Sequence, residues 1–227
     1  MLCAVQAAVV LTPRRVDRPR GRAWVGVILP AAALALGIVV LRATAGGPHA
    51  LALVAAIATP VLAAARPKRA PLALAAWLVA WLAHGLIAQA AAVLLVALAA
   101  VSVAELAGGF APRSALAAGL VLLAILDVVL VWGTAQVEPA SHALHQAAVP
   151  SAAGHPIPRL QDATFGSATM GWLDFVAAAL LGVVARARLR AAVVTGVAAG
   201  AWGLLLLVTS TVPATVPTLA GLLVGTF

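Results

Sequence analysis

Long apolar runs, separated by brief polar or basic punctuation, set the pattern of this chain. Ala23–Leu41 holds only apolar residues, glycine and Pro30. A second run covers about His49–Ala65, with Pro60 near its end, and closes on Arg66-Pro67-Lys68-Arg69. Pro71–Leu106 is almost wholly apolar. As one helix at ~1.5 Å per residue it would exceed ~50 Å, whereas a hydrocarbon core is ~30 Å thick. It is therefore expected to fold back as two spans, breaking near His84-Gly85 or at Gln89. Further apolar runs cover about Ser114–Gly133, Gly166–Ala185, Ala191–Thr209 and Thr211–Phe227. Counted together, the pattern predicts about eight transmembrane helices.

Between the fifth and sixth of these elements lies a polar segment, about Thr134–Phe165. It holds Pro139, Pro150, Pro156 and Pro158 with His142, His145 and His155, and reads as a long loop. At the start, Met1–Thr12 is apolar but too short to span. Arg14, Arg15, Arg18, Arg20 and Arg22 follow it, the reverse of the order in a signal peptide. Two readings of Met1–Thr12 stand: the remnant of a further helix, or an interfacial segment.

Composition agrees with the pattern. The 227 residues are 64% hydrophobic and 9% charged, against about 25% charged in soluble domains. This excludes a water-soluble fold and predicts an all-α, polytopic membrane bundle. Three regions are expected: a basic segment 1–22, a four-span half 23–113, and a half 114–227 carrying two membrane aspartates. A net charge of +8 would suit nucleic acid, but the cations sit in short loops, as cytoplasmic loops do, so no nucleic-acid partner is expected. With the Arg14–Arg22 segment inside, alternation also puts Arg66, Lys68, Arg69, Arg113, Arg186, Arg188 and Arg190 inside, leaving Arg42 and Arg159 outside. The polar loop then lies outside. Treating Pro71–Leu106 as one span would reverse the later loops against this rule. Cys3 is the lone cysteine, so no internal disulfide or cysteine metal site is expected. Arginine over lysine, with abundant Ala, Gly and Pro, points to a GC-rich prokaryotic genome and a multi-pass protein of the bacterial plasma membrane.

Asp127 and Asp174 each interrupt an apolar run. A carboxylate at membrane depth costs about 2.5–3.5 kcal/mol on insertion scales, so it usually faces a cavity or a partner and marks function. Asp127 lies about six residues before the outer end of its expected helix, Asp174 about eight after the outer end of its own. At ~1.5 Å per residue both sit roughly 10–12 Å below the outer surface. Adjacent antiparallel helices can then oppose the two carboxyls. Such a pair shares a proton: one carboxylate takes a proton from water while the other, protonated, polarises a scissile carbonyl.

These residues resemble the intramembrane aspartyl proteases, presenilin and signal peptide peptidase. That family carries Tyr-Asp, Gly-x-Gly-Asp and Pro-Ala-Leu motifs on successive helices. Here they read Leu126-Asp127, Gly171-Trp172-Leu173-Asp174 followed by Phe175, and Pro213-Ala214-Thr215, with Pro217 and Leu219 beyond. Leu126, Leu173 and Thr215 depart from the pattern. The resemblance covers roughly the second half of the chain. It implies a presenilin-like bundle, hydrolysis of transmembrane helices or signal peptides by Asp127 and Asp174, and substrate binding by Gly171, Pro213, Ala214 and Thr215. It implies no metal or cofactor. Gly171 would allow close backbone approach, and Pro213, lacking an N–H, would leave carbonyls free for an extended substrate. The charge bias matches the signal-peptide-peptidase orientation. The expected partners are transmembrane peptides and the bilayer; oligomeric state is not encoded legibly.

Three other readings stay open. Prepilin peptidases also use two aspartates, but near the cytoplasmic face. A small proton- or cation-coupled transporter or channel would use two intramembrane carboxylates as a relay, though no internal repeat is visible. Proximity of Pro213-Ala214 to the aspartates distinguishes a protease from a relay. Finally, His142, His145 and His155 would form a metal site, or be solvated loop residues. The basic turns read as topology signals and headgroup contacts.

Overall fold

The computed structural model describes residues 1–14, 21–43, 46–134, 137–147, 157–205, 212–213 and 215–226, with the side chains of 42–43 and 137–138 left aside. Within them are the helices α1 (Leu2–Leu11), α2 (Ala23–Ala43), α3 (Gly47–Ala63), α4 (Ala70–Leu82), α5 (Gly85–Phe110), α6 (Arg113–Val128), α7 (Val137–Gln146), α8 (Trp172–Val184), α9 (Arg188–Leu205) and α10 (Val216–Gly225). A π-helical turn, Val129–Gly133, extends α6. The strands β1 (Asp162–Phe165) and β2 (Ala168–Gly171) pair antiparallel between α7 and α8.

Three stretches are long and apolar enough to cross a membrane: Ala23–Leu41, Gly85–Phe110 and Arg113–Gly133. They mark the chain as a helical membrane protein. The helices α1, α3, α4, α8 and α10 are apolar but shorter. The break expected in Pro71–Leu106 falls at Ala83-His84. Ala83 and His84 are extended, and Gly85 takes φ +64°, a left-handed conformation open to glycine at little cost. The exposed His84 occupies this turn, and α4 packs back along α5.

The fold is all-α apart from one short hairpin. The expected helix over Gly166–Ala185 begins only at Trp172, and the polar segment ends in a hairpin. Gly166 again takes φ +64°, and Gly166-Ser167 closes the two-residue turn that pairs Phe165 with Ala168. The turn glycine and the β-branched Thr164 and Thr169, whose hydroxyls lie 3.2 Å apart, favour paired strands over a helix.

At the centre lies α5, packed against α8, α3, α4, α1 and β1. Every residue of α8 from Asp174 to Val184 is buried, as suits a helix that is apolar all round. Glycines let its neighbours approach: a Cβ on Gly182 would run into the Val10 carbonyl of α1, and one on Gly119 into the Gly26 carbonyl joining α6 to α2. Within the Met1–Thr12 segment α1 packs against α8 and α9, with Leu2, Gln6, Val9 and Val10 buried.

Two ends can be told apart by their polar contacts. At one, the Arg14 N–H and the Arg66 and Arg69 guanidiniums meet Glu105. There Arg188 also donates to the Pro13 carbonyl at 2.7 Å, and Arg186 N–H to that of Gly225 at 2.9 Å. At the other, Gly166 N–H donates to Gln89 Oε1 at 2.8 Å and His145 pairs with Asp162. The turns that charge alternation assigns to one side therefore gather at one end. Arg15, Arg18 and Arg20 lie outside the described residues.

Candidate functional site

Asp127 is the next-to-last residue of α6, directly before the π-helical turn. Such turns widen the helix by one residue and recur at functional sites. The side chain is 8% exposed. Its Oδ2 accepts two hydrogen bonds from Thr215: one from the backbone N–H at 3.1 Å and one from the hydroxyl at 2.8 Å. Thr215 is the N-cap of α10, with Pro217 in the first turn. A helix N-terminus offers unpaired N–H groups and a positive dipole end, and here it meets a carboxylate.

Asp174 occupies the third position of α8 and is 7% exposed. Its Oδ2 accepts the N–H of Gly171, the N-cap residue, at 2.9 Å. The resemblance implied that Gly171 leaves room for substrate. The geometry adds a nearer neighbour: a Cβ there would lie 3.1 Å from Asp174 Oδ2, so glycine leaves room for the carboxylate of its own helix. The depth expected from eight helical residues is also corrected, because the hairpin, not a helical turn, leads into Asp174.

Asp127 and Asp174 stand on helices that pack together, α6 and α8, and α10 contacts both. Trp202 Nε1 donates to the Pro213 carbonyl at 2.7 Å, so that carbonyl is occupied rather than free for a substrate as expected, and the Trp202 ring lies 6.4 Å from that of Trp132 in the π-helical turn. Pro213 is buried. Ala214 lies outside the described residues.

Thr215 stands out in the sequence for its place in the Pro-Ala element and as a departure from the family leucine; its bond to Asp127 does not follow from the pattern. A threonine two residues before a proline at the start of an apolar run is a helix-start signal, and that signal was present.

Glu105 was missed as well. It is 3% exposed and binds Arg69 Nη2 at 2.8 Å, Arg66 Nε at 3.1 Å and the Arg14 N–H at 3.1 Å. A lone carboxylate in an apolar run calls for a cationic partner, and the Arg66–Arg69 turn supplies it. That turn is therefore more than a topology signal.

The segment expected to be a long loop contains α7, so His142 and His145 are helical; His145 pairs through Nδ1 with Asp162 Oδ2 at 2.7 Å, and His155 lies outside the described residues. Among the described residues no three His, Cys, Asp or Glu side chains gather as a metal site.

Comparisons with protein-family models, curated proteins and solved structures return no match.

Proposed function

We propose that the chain is an intramembrane aspartyl protease, a multi-pass bundle of about eight spans in which Asp127 and Asp174 hydrolyse peptide bonds of transmembrane segments. The observation that carries this reading is the convergence of three elements. Two buried carboxyls stand on the packed helices α6 and α8, and Thr215, at the head of the segment that forms α10, is bonded to one of them. A proton relay has no need of that segment. A protease does, because it must hold an extended backbone beside its acid–base pair.

In the proposed cycle the two carboxyls hold one proton between them. The ionised one removes a proton from water, and the water oxygen attacks the scissile carbonyl. The protonated one donates to the carbonyl oxygen as the tetrahedral intermediate forms; on collapse the C–N bond breaks, the proton taken from water passes to the departing amine, and the gem-diol returns a proton to the second carboxylate. Burial excludes bulk water, so these charges act at low dielectric.

The hairpin supplies a docking edge. β2 is exposed along most of its length and leads directly into α8. An unwound substrate can add to it as a third strand, exchanging main-chain hydrogen bonds. Gln89, through its bond to Gly166, ties the hairpin tip to α5.

The test is cleavage of single-span substrates in liposomes by Asp127→Asn and Asp174→Asn. Each should lower the rate at least ~100-fold, the lower range for a lost general acid or base, with helical content unchanged. Cleavage by either variant near the parent rate would remove the pair from the mechanism. A parent that cleaves nothing but carries protons or cations across the bilayer would establish the relay instead.

A further inference from the structure

At the end opposite the aspartates, Arg14, Arg66, Pro67, Lys68 and Arg69 line a cavity of about 240 Å³. Four cationic residues line it, and one carboxylate, that of Glu105, binds the guanidiniums of two of them. Glu105 does not neutralise them; it fixes two of them. One of its oxygens takes Arg69 Nη2 and the Arg14 N–H, the other takes Arg66 Nε.

We propose that this cavity is a binding site for a phosphate group at the membrane surface. Guanidinium forks match phosphate oxygens, and an ammonium adds a mobile point charge. Because Glu105 already holds Arg66 and Arg69, less side-chain freedom is lost on binding. A water takes ~30 Å³ in the liquid, so the cavity holds several such volumes, enough for a phosphodiester group. The turn joins two apolar helices, which places it at headgroup level. There the phosphate comes from an anionic phospholipid or from a free phosphate compound in the adjoining water. The site does not depend on the catalytic reading of Asp127 and Asp174.

The experiment measures the melting temperature of the full chain in nanodiscs. One arm compares phosphatidylcholine with phosphatidylcholine containing phosphatidylglycerol. A second adds inorganic phosphate or pyrophosphate to neutral discs at fixed ionic strength. The double variant Arg14→Gln/Lys68→Gln keeps the bonds to Glu105, since Arg14 contributes only its backbone; Arg190→Gln is a control for charge at an exposed residue of another basic turn. Phosphatidylglycerol should raise the parent's melting temperature by several degrees. The double variant should lose most of that rise and Arg190→Gln should keep it, which identifies a lipid ligand. A rise with phosphate or pyrophosphate in neutral discs, again lost in the double variant, identifies a soluble one. No response of the parent in either arm overturns the site without recourse to variants. So does an equal loss in Arg190→Gln, which would mean that only overall charge matters.

Discussion

A single hydroxyl decides much at the residue scale. Thr215 donates twice to Asp127 Oδ2, and the hydroxyl bond can be removed by a side-chain change that leaves the backbone N–H in place. A hydrogen bond to a charged group contributes about 1.5–3 kcal/mol. Thr215→Val keeps shape and backbone N–H, so it should slow cleavage by at least about tenfold, while Thr215→Ser should retain most of the activity. Equal rates for parent and Val variant would show that the hydroxyl does not position Asp127. The aspartates were legible because a carboxylate in an apolar run has few explanations. The Thr215 bond was not, because it joins positions 88 residues apart, and only folding sets that pair. Glu105 sits between these cases: its need for a cation could be read locally, but its partners, 36 and 39 residues away, could not be chosen from the pattern.

The hairpin is where apolar patterning misled at the scale of elements. Gly166–Met170 contains enough small and apolar residues to pass as the start of the following helix, while Gly166-Ser167 between Thr164 and Thr169 carried the opposing turn signal. By contrast, the break between α4 and α5 was legible from length alone, since one straight helix would overrun the bilayer. The hairpin's register makes a specific prediction. With a two-residue turn, Phe165 and Ala168 form a hydrogen-bonded pair and Thr164 and Thr169 the next, non-hydrogen-bonded one. The Thr169 N–H then points away from β1, toward the edge proposed above for docking. Thr169→Pro should remove that donor without breaking the ladder, and so slow cleavage about tenfold, the scale of one net hydrogen bond. Thr169→Val, which keeps the N–H, should leave the rate within about twofold. Parent-like cleavage by the proline variant would rule out docking on this edge.

For the whole molecule, charge and packing give the same partition by separate routes. The positive-inside rule uses only the order of loops and spans. The hydrogen bonds of Arg14, Arg66, Arg69 and Arg188 use only contacts, yet they gather the same turns at one end. What neither route supplies is the placement of the shorter apolar helices in a bilayer. α8 is 13 residues long, or ~20 Å, short of a ~30 Å core, and it spans only if the hairpin before it enters the membrane or the bilayer thins around it. The basic end should face the cytoplasm. Single cysteines placed in a Cys3→Ser background test this directly, since Cys3 is the chain's only cysteine. Ser141, Lys68 and Arg190 are exposed, so each replacement presents its thiol to solvent without disturbing the core. A membrane-impermeant maleimide added to intact cells should label Ser141→Cys and leave Lys68→Cys and Arg190→Cys unmodified until the membrane is permeabilised. Labelling of Lys68→Cys and Arg190→Cys alone would invert the protein, and with it the direction from which substrates enter. Labelling of one of those two but not the other would place an odd number of crossings between them and break the eight-span arrangement.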